Sequence, residues 1–405
     1  MKVLVLNSGS SSQKTAVYEI DGQPVAEPAA PVWQGTLEWT GDGAGASPGK
    51  PIGASSHGHL HASNRAEALK HLLEGFFKGN VSNAESTEGI ALVGHRVVHG
   101  GPNYRTPVLI TADVKTELAK VSAFAPLHNG AELEGMEVVE SLLPGVPQIA
   151  VFDTGFHRDI PDEAAIYPGP FEWVGLGIRR YGFHGINHQY CAERAAHMFG
   201  RQLDALKLVT CHLGNGCSLA AIRDGHSVDT TMGFTPLEGL MMGTRSGSVD
   251  PGILTYLMRQ QHLQSQEIDD LLNKRSGLLG VSGVSSDMRE VLTAREQGNP
   301  RAQLAFDMFA NRLRAGIGAM VAVLGGIDAL VFTAGIGENS PQVRAAACET
   351  LTFIGLGLDS RANAQCRPDM NIAACDSRVQ VLVIRAQEDW AIANECWKLI
   401  RKPSN

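Results

Sequence analysis

With 405 residues, 43% of them apolar and 19% charged, the chain can bury more than one hydrophobic core, so two globular domains are expected. A formal charge of −8 without a Lys/Arg run argues against nucleic acid or an anionic membrane as partner, and seven cysteines with no C-x-x-C pair argue against a zinc site and fit reduced thiols in a cytoplasmic protein. The N-terminal "VLVL" is too short for a signal-peptide core and "AMVAVLGGIDALVF" is broken by glycines and Asp328, so neither export nor a membrane span is expected.

The first element reads as a hairpin: "LVLNSGSSSQKTAVYEIDG", residues 4–22, runs from an apolar strand through a Gly/Ser tip into an alternating strand. Such a tip presents backbone N–H groups and hydroxyls as a nest for phosphate oxygens. Lys14 adds a point charge, and Asn7 a neutral oxygen suited to hydrated Mg²⁺. Taken alone, a plain Gly/Ser turn with a surface lysine is the simpler reading. Residues 41–64, rich in Gly, Ser and Pro, read as an exposed loop, with His57, His59 and His61 as solvated side chains.

Further along, "VTCHLGNGCSLAAIRDG" from Val209 repeats the hairpin plan: Asn7 lies over His212, Gly9 over Gly214 and Ser10 over Asn215. A second echo sets "AVFDTGFH", with Asp153, over "LVFTAGIGEN", with Gly335, each a buried strand entering a glycine turn. Repetition in order implies a duplicated α/β domain with a cleft between the copies. "SSDMREVLTAREQG" starts as a helix capped by Asp287. The tail "WAIANECWKLIRK" follows the strand "VQVLVI", and Trp390, Ile392, Ala393, Trp397 and Ile400 recur at helical spacing, which predicts a helix returning to the first domain.

No G-x-x-x-x-G-K-[ST] and no protein-kinase H-R-D or D-F-G set occurs, which excludes those phosphate-binding architectures. In order along the chain stand "NSGSSSQK", "HRVVHGG", "APLHN", "VFDTGFH", "YGFHGINH", "CHLGNGCS", "MGFTPLEGLMMGTRSG", "SSDMRE" and "FTAGIGENS". Together they resemble the acetate kinases, the acetokinase family, from residue 2 to about residue 390. That family belongs with the sugar kinases, Hsp70 and actin, whose halves are duplicated ribonuclease-H-like, actin-like ATPase domains.

The resemblance implies reversible, ATP-dependent phosphorylation of acetate to acetyl phosphate, with Mg²⁺ or Mn²⁺, in a homodimer. It implies domains at 1–153 with 386–405 and at 154–385, the second carrying the adenosine site. By the same resemblance Asn7 and Glu388 hold the metal, and Ser10, Ser12 and Lys14 with His212, Leu213, Gly214, Asn215 and Gly216 meet the phosphates of ATP or ADP. Asp287, Met288 and Arg289 with Gly335, Ile336, Gly337, Glu338 and Asn339 hold adenosine. Arg96 binds the substrate carboxylate, and Val98, Leu127, Phe183 and Pro236 line the acyl pocket. Asp153, His184 and Arg245 are catalytic. The stretch "IRAQEDWAIA" departs from the family's P-T-N-E-E around Glu388, with Asp389 as the second acid.

Other readings stand beside these. Arg245 could be a turn arginine paired with Asp250, His184 a core histidine, His188 a structural one, and Asp287 a helix cap. A propionate or other short-chain acyl kinase would share every motif, and a nucleotide-switched chaperone or filament module would share the fold. Because a carboxylate acceptor is already ionised at pH 7, no general base is needed, and Asp153 is expected to orient Arg96 or the hydrated metal.

Overall fold

The computed structural model describes residues 1–9, 12–22, 27–40, 43–50, 64–79, 89–121 and 129–401, with backbone only at 39–40, 43–50, 78–79 and 129. Ser10, Leu127, His57, His59 and His61 lie outside the described residues. The chain divides into two compact units, Met1–Gly155 with Gln387–Asn405, and Phe156–Ala386.

The first unit is built on seven strands: β1 (Lys2–Ser8), β2 (Ser12–Glu19), β3 (Trp33–Thr40), β4 (Gly43–Lys50), β5 (Ile90–Val97), β6 (Val108–Leu109) and β7 (Gln148–Phe152). Their order is β4-β3-β2-β1-β5-β7-β6, antiparallel from β4 to β1, parallel through β1, β5 and β7, and antiparallel again at β6. The unbroken apolar run of β1 follows from burial on both faces. Leu4 and Leu6 join Leu69, Leu73 and Val139 of the helices Arg65–Gly79 and Asn129–Leu142 in one core. The helix Glu388–Arg401 packs against β1 and β5. That packing requires glycine at position 94 of β5, where a Cβ would stand 2.6 Å from Cys396 Sγ and 2.8 Å from Ile392 Cγ2.

The second unit contains β8 (Leu208–Leu213), β9 (Cys217–Arg223), β10 (His226–Thr230), β11 (Ala329–Thr333), β12 (Met370–Asn371) and β13 (Gln380–Val383). The order is β10-β9-β8-β11-β13-β12, with the same succession of antiparallel and parallel pairings. Asp224 and Gly225, both at positive φ, make the two-residue turn from β9 to β10. The helix Pro300–Leu324 covers β9; Asn299 accepts from the N–H groups of Arg301 and Ala302 at its start, and Gly325 at φ 64° ends it. Both units are therefore ribonuclease-H-like α/β layers, and the matching hairpins are β1–β2 and β8–β9.

Three expectations need correction. The strand "LVFTAG" is β11, which lies beside β8 as β5 lies beside β1, so its counterpart is "LVGHRVVHGG" and not the Asp153 strand β7, whose place is taken by β13. A buried parallel strand running into glycine occurs several times per sheet, so that pattern cannot fix sheet position. Residues 43–50, read as loop, form edge strand β4, paired with β3 through backbone hydrogen bonds that need no apolar period. In the C-terminal helix Ile400 is 47% exposed, and Cys396 occupies the buried stripe with Trp390, Ile392, Ala393 and Trp397. Among the described residues no helix is long and apolar enough to cross a membrane.

Candidate active site

In the first unit the polar cluster begins where β1 and β5 end. Arg96 on β5 donates from Nε to Asp153 Oδ1 at 3.1 Å and from Nη2 to Asp153 Oδ2 at 2.6 Å, a side-on pair just beyond β7. Its Nη1 donates to Asn7 Oδ1 at 3.2 Å and, more weakly, to Ser8 O at 3.4 Å. Of the five guanidinium N–H groups, one on Nη2 has no acceptor among the described residues. Burial opposes the charge on Arg96, but Asp153 and Glu388 outweigh it and hold the guanidinium protonated.

Asn7 is turned by the same contacts. Its Nδ2 donates to Asp389 Oδ1 at 2.7 Å and to Glu388 Oε2 at 3.2 Å, both in the first turn of the C-terminal helix. Burial raises the Asp389 carboxyl, against Asn7, Lys14 and Arg96, which pull it down. Lys14 faces Asn7 across the β1–β2 ladder, its side chain exposed, and Gly9 N–H closes the tip on Ser12 O at 2.7 Å. Val98 is buried two residues beyond Arg96.

The second unit carries a cluster of imidazoles. His184, at φ 57° before the helix Gly185–Phe199, stacks on His212 of β8 with ring centroids 3.9 Å apart and planes 10° apart. Asn187 Nδ2 donates to His212 Nδ1 at 2.8 Å, so neutral His212 carries its proton on Nε2. Ser218 Oγ lies 2.8 Å from His184 Nδ1 and 2.8 Å from His188 Nε2. Gly216 lies where His184 and Arg245 approach each other: a Cβ there would stand 3.3 Å from His184 Nε2 and 3.4 Å from Arg245 Nη1. Arg245 Nη1 is held by Pro236 O at 2.9 Å, while Asp250 caps the helix Pro251–Gln260 through Gly252 N–H.

The remaining sequence candidates divide by burial. Asn215 and Gly216 lie at the accessible tip between β8 and β9, and Gly214 N–H donates to Gly216 O. The side chains of Leu213 and Met288 are both in the core. Asp287 caps the helix Met288–Glu296 and pairs side-on with exposed Arg289. Gly335, Ile336, Gly337, Glu338 and Asn339 form one helical turn after β11, with Gly335 and Asn339 exposed. Phe183 is 1% exposed, its carbonyl taken by His157 Nε2 at 3.0 Å.

A family model described as the acetokinase family matches residues 2–394. The chain belongs to the acetokinase family. It is therefore a kinase of the kind that transfers phosphate to a carboxylate. The acetate kinase of Trichormus variabilis is 56% identical over 99% of this chain and 100% of its own length. That of Gloeobacter violaceus is 55% identical over 99% and 100%. Among solved structures, the acetate kinase of Porphyromonas gingivalis is 40% identical with a TM-score of 0.89 over 99% of this chain and 100% of that one. A propionate kinase from Francisella tularensis is 36% identical with a TM-score of 0.89 over 98% and 99%.

Within this acetokinase three polar residues escaped sequence reasoning. Glu132 is buried, and both its carboxylate oxygens accept from Val98 N–H, at 3.1 and 3.3 Å. It was findable, because it stands at i, i+4 and i+7 with buried Met136 and Val139 on one apolar stripe. Arg344, 1% exposed, donates to the carbonyls of Gly337, Glu338 and Asn363 and to Asn363 Oδ1, fixing the Gly335–Asn339 turn from beneath. Ser218 sits in a strand whose neighbours are all buried, so nothing in its local pattern separates a bridging hydroxyl from a core serine.

Proposed function

We propose that the chain catalyses the reversible, ATP-dependent phosphorylation of acetate to acetyl phosphate by direct in-line transfer, as a cytoplasmic homodimer. The observation that carries this reading is identity above 50% to acetate kinases over essentially the whole chain. An acetate oxygen forms the new bond to the γ-phosphorus while the bond to the β–γ bridging oxygen breaks, leaving ADP. Acetate arrives ionised, so no protein base is required.

The groups of the second unit suit the phosphoryl oxygens. Arg245 supplies charge, and the stacked His184 and His212 supply N–H donors where three equatorial oxygens share negative charge. In the first unit the Arg96–Asp153 pair supports Arg96 as a preset single donor to acetate, with Asp153 orienting it and with Val98 beside the methyl group. By family likeness the turn Gly335–Asn339 with Asp287 and Arg289 is assigned to adenosine and the β8–β9 tip to the phosphates.

Among the described residues no set of three or more His, Cys, Asp or Glu is arranged to cage a metal. Mg²⁺ fits nevertheless, since it retains waters and binds through one or two carboxylates plus substrate phosphates; Glu388 and Asp389, both hydrogen-bonded to Asn7, are such carboxylates. When bound, the ion neutralises phosphate charge, and Mn²⁺ would substitute.

A hydroxylamine trap with ATP, Mg²⁺ and formate, acetate, propionate or butyrate tests the reading. It expects acetyl hydroxamate with the highest kcat/KM and some propionyl hydroxamate, because one methylene separates substrates by only about 10 to 200-fold. A kcat/KM higher for propionate would make the chain a propionate kinase, and no hydroxamate from any acid would refute the kinase activity.

A further inference from the structure

Behind His184 runs a chain of buried hydroxyls and imidazoles. Thr210 of β8, His188 and Ser218 of β9 are each fully buried. Thr210 Oγ1 lies 2.7 Å from His188 Nδ1, His188 Nε2 lies 2.8 Å from Ser218 Oγ, and Ser218 Oγ lies 2.8 Å from His184 Nδ1. Distances alone leave the direction of these bonds open, since each hydroxyl can give or take and a neutral imidazole has one donor and one acceptor. The direction follows from which protons have somewhere to go.

Among the described residues His188 Nδ1 is the only acceptor within hydrogen-bond reach of the Thr210 hydroxyl proton. Were His188 to donate from Nδ1 instead, a buried hydroxyl proton would be left unpaired, at a cost comparable to desolvating a polar group outright. Thr210 therefore donates, His188 Nδ1 accepts, and the His188 proton sits on Nε2. That Nε2–H donates to Ser218 Oγ. Ser218 then has one proton to place, and His184 Nδ1 is the remaining acceptor at 2.8 Å. With Nδ1 accepting, the proton of His184 is on Nε2, the atom that faces the Gly216 backbone beside Arg245 Nη1.

Resting on the reading that His184 serves phosphoryl transfer, we propose that Thr210, His188 and Ser218 are positioning residues that fix His184 as its Nε2–H tautomer, a neutral hydrogen-bond donor to the transferring phosphoryl group. The relay separates two roles that imidazole can play. A proton acceptor at Nε2 would require every bond of the relay to reverse and would strand the Thr210 proton. Burial keeps His188 itself uncharged, with His157 and His212 adding to the effect, so the relay transmits orientation without carrying charge. Among the described residues, His184 is met by the stacked His212 of β8, by His188 through Ser218, and by Arg245 across Gly216.

The test is nitrogen NMR of the full chain labelled with ¹⁵N-histidine, with His184 assigned by loss of its signals in His184→Gln. The native enzyme should show the Nε2–H tautomer at His184. Thr210→Val, close to isosteric on β8, removes the first donor; it should convert His184 to a tautomer mixture and lower kcat about 10-fold, the effect of one lost hydrogen bond, with KM for ATP within about twofold. Ser218→Ala should do the same if the valine variant fails to fold. A native Nδ1–H tautomer, or Thr210→Val with tautomer and kcat unchanged, would overturn the relay. Full kcat in His184→Gln would instead overturn the transfer role of His184 on which the relay rests, and the two failures are read from different samples.

Discussion

The buried Glu132 carboxyl makes stability depend on pH in a way that Glu132→Gln should abolish. Burial pushes this group up to about 8 from an ordinary 4.5, against the Val98 N–H and the Arg96 charge, which pull it down; Asp153 pushes it up further. Between those values the folded chain holds a proton that the unfolded chain has released, so stability falls as pH rises, and it levels off above the folded value. The slope for one group is about 1.4 kcal/mol per pH unit, so from about pH 5.5 to about pH 8 the native protein loses on the order of 3 kcal/mol through Glu132. Glutamine keeps an oxygen for Val98 N–H and does not titrate. Urea unfolding at about pH 5.5 and 8.5 should therefore give the variant a stability close to native at the lower pH and an advantage of about 2 to 4 kcal/mol at the higher. Parallel pH curves for the two proteins would refute the reasoning, showing that Arg96 keeps Glu132 ionised in the fold throughout.

Arg245→Ala should lower kcat by about 10² to 10³ or more with a smaller change in KM for ATP, and lysine should rescue poorly; intact kcat with raised KM would assign Arg245 to ground-state nucleotide binding. Asp153→Asn removes the charge that holds Arg96 side-on. It should reduce kcat/KM for acetate by at least about 10²-fold and weaken the apparent Mg²⁺ affinity in activity titrations, whereas unchanged Mg²⁺ affinity with an altered pH–rate profile would make Asp153 an acid–base group. Val98→Ala should shift kcat/KM preference toward propionate by up to about 10-fold while KM for ATP hardly moves. An unchanged acyl preference with raised KM for ATP would remove Val98 from the acyl pocket.

The hairpins were legible because their signal is local: an apolar strand, a glycine tip at fixed offset and an Asp-Gly turn, seen at Asn7–Gly9 and again at His212–Gly214. The pairing of Asp153 with Gly335 misled, since strand position in a sheet is set by long-range hydrogen bonding that a buried run does not encode. Helix spacing located the C-terminal helix but overreached at Ile400, where the final turn faces outward. Arg96, Asp153, His184 and Arg245 were candidates through the family resemblance of their motifs, and the fold brings Arg96 to Asp153 in one unit and His184 and Arg245 to Gly216 in the other. Glu132, Arg344 and Ser218 act through burial and partner direction, which exist only once strands and helices distant in sequence have met.

Phosphorus NMR of the purified chain with ATP, Mg²⁺ and acetate tests the central claim most directly. An acetyl phosphate resonance should grow in step with ADP, and ATP should re-form when acetyl phosphate and ADP are supplied instead. Release of inorganic phosphate from ATP with no acetyl phosphate at any time, as a nucleotide-switched module on this fold would give, would contradict it.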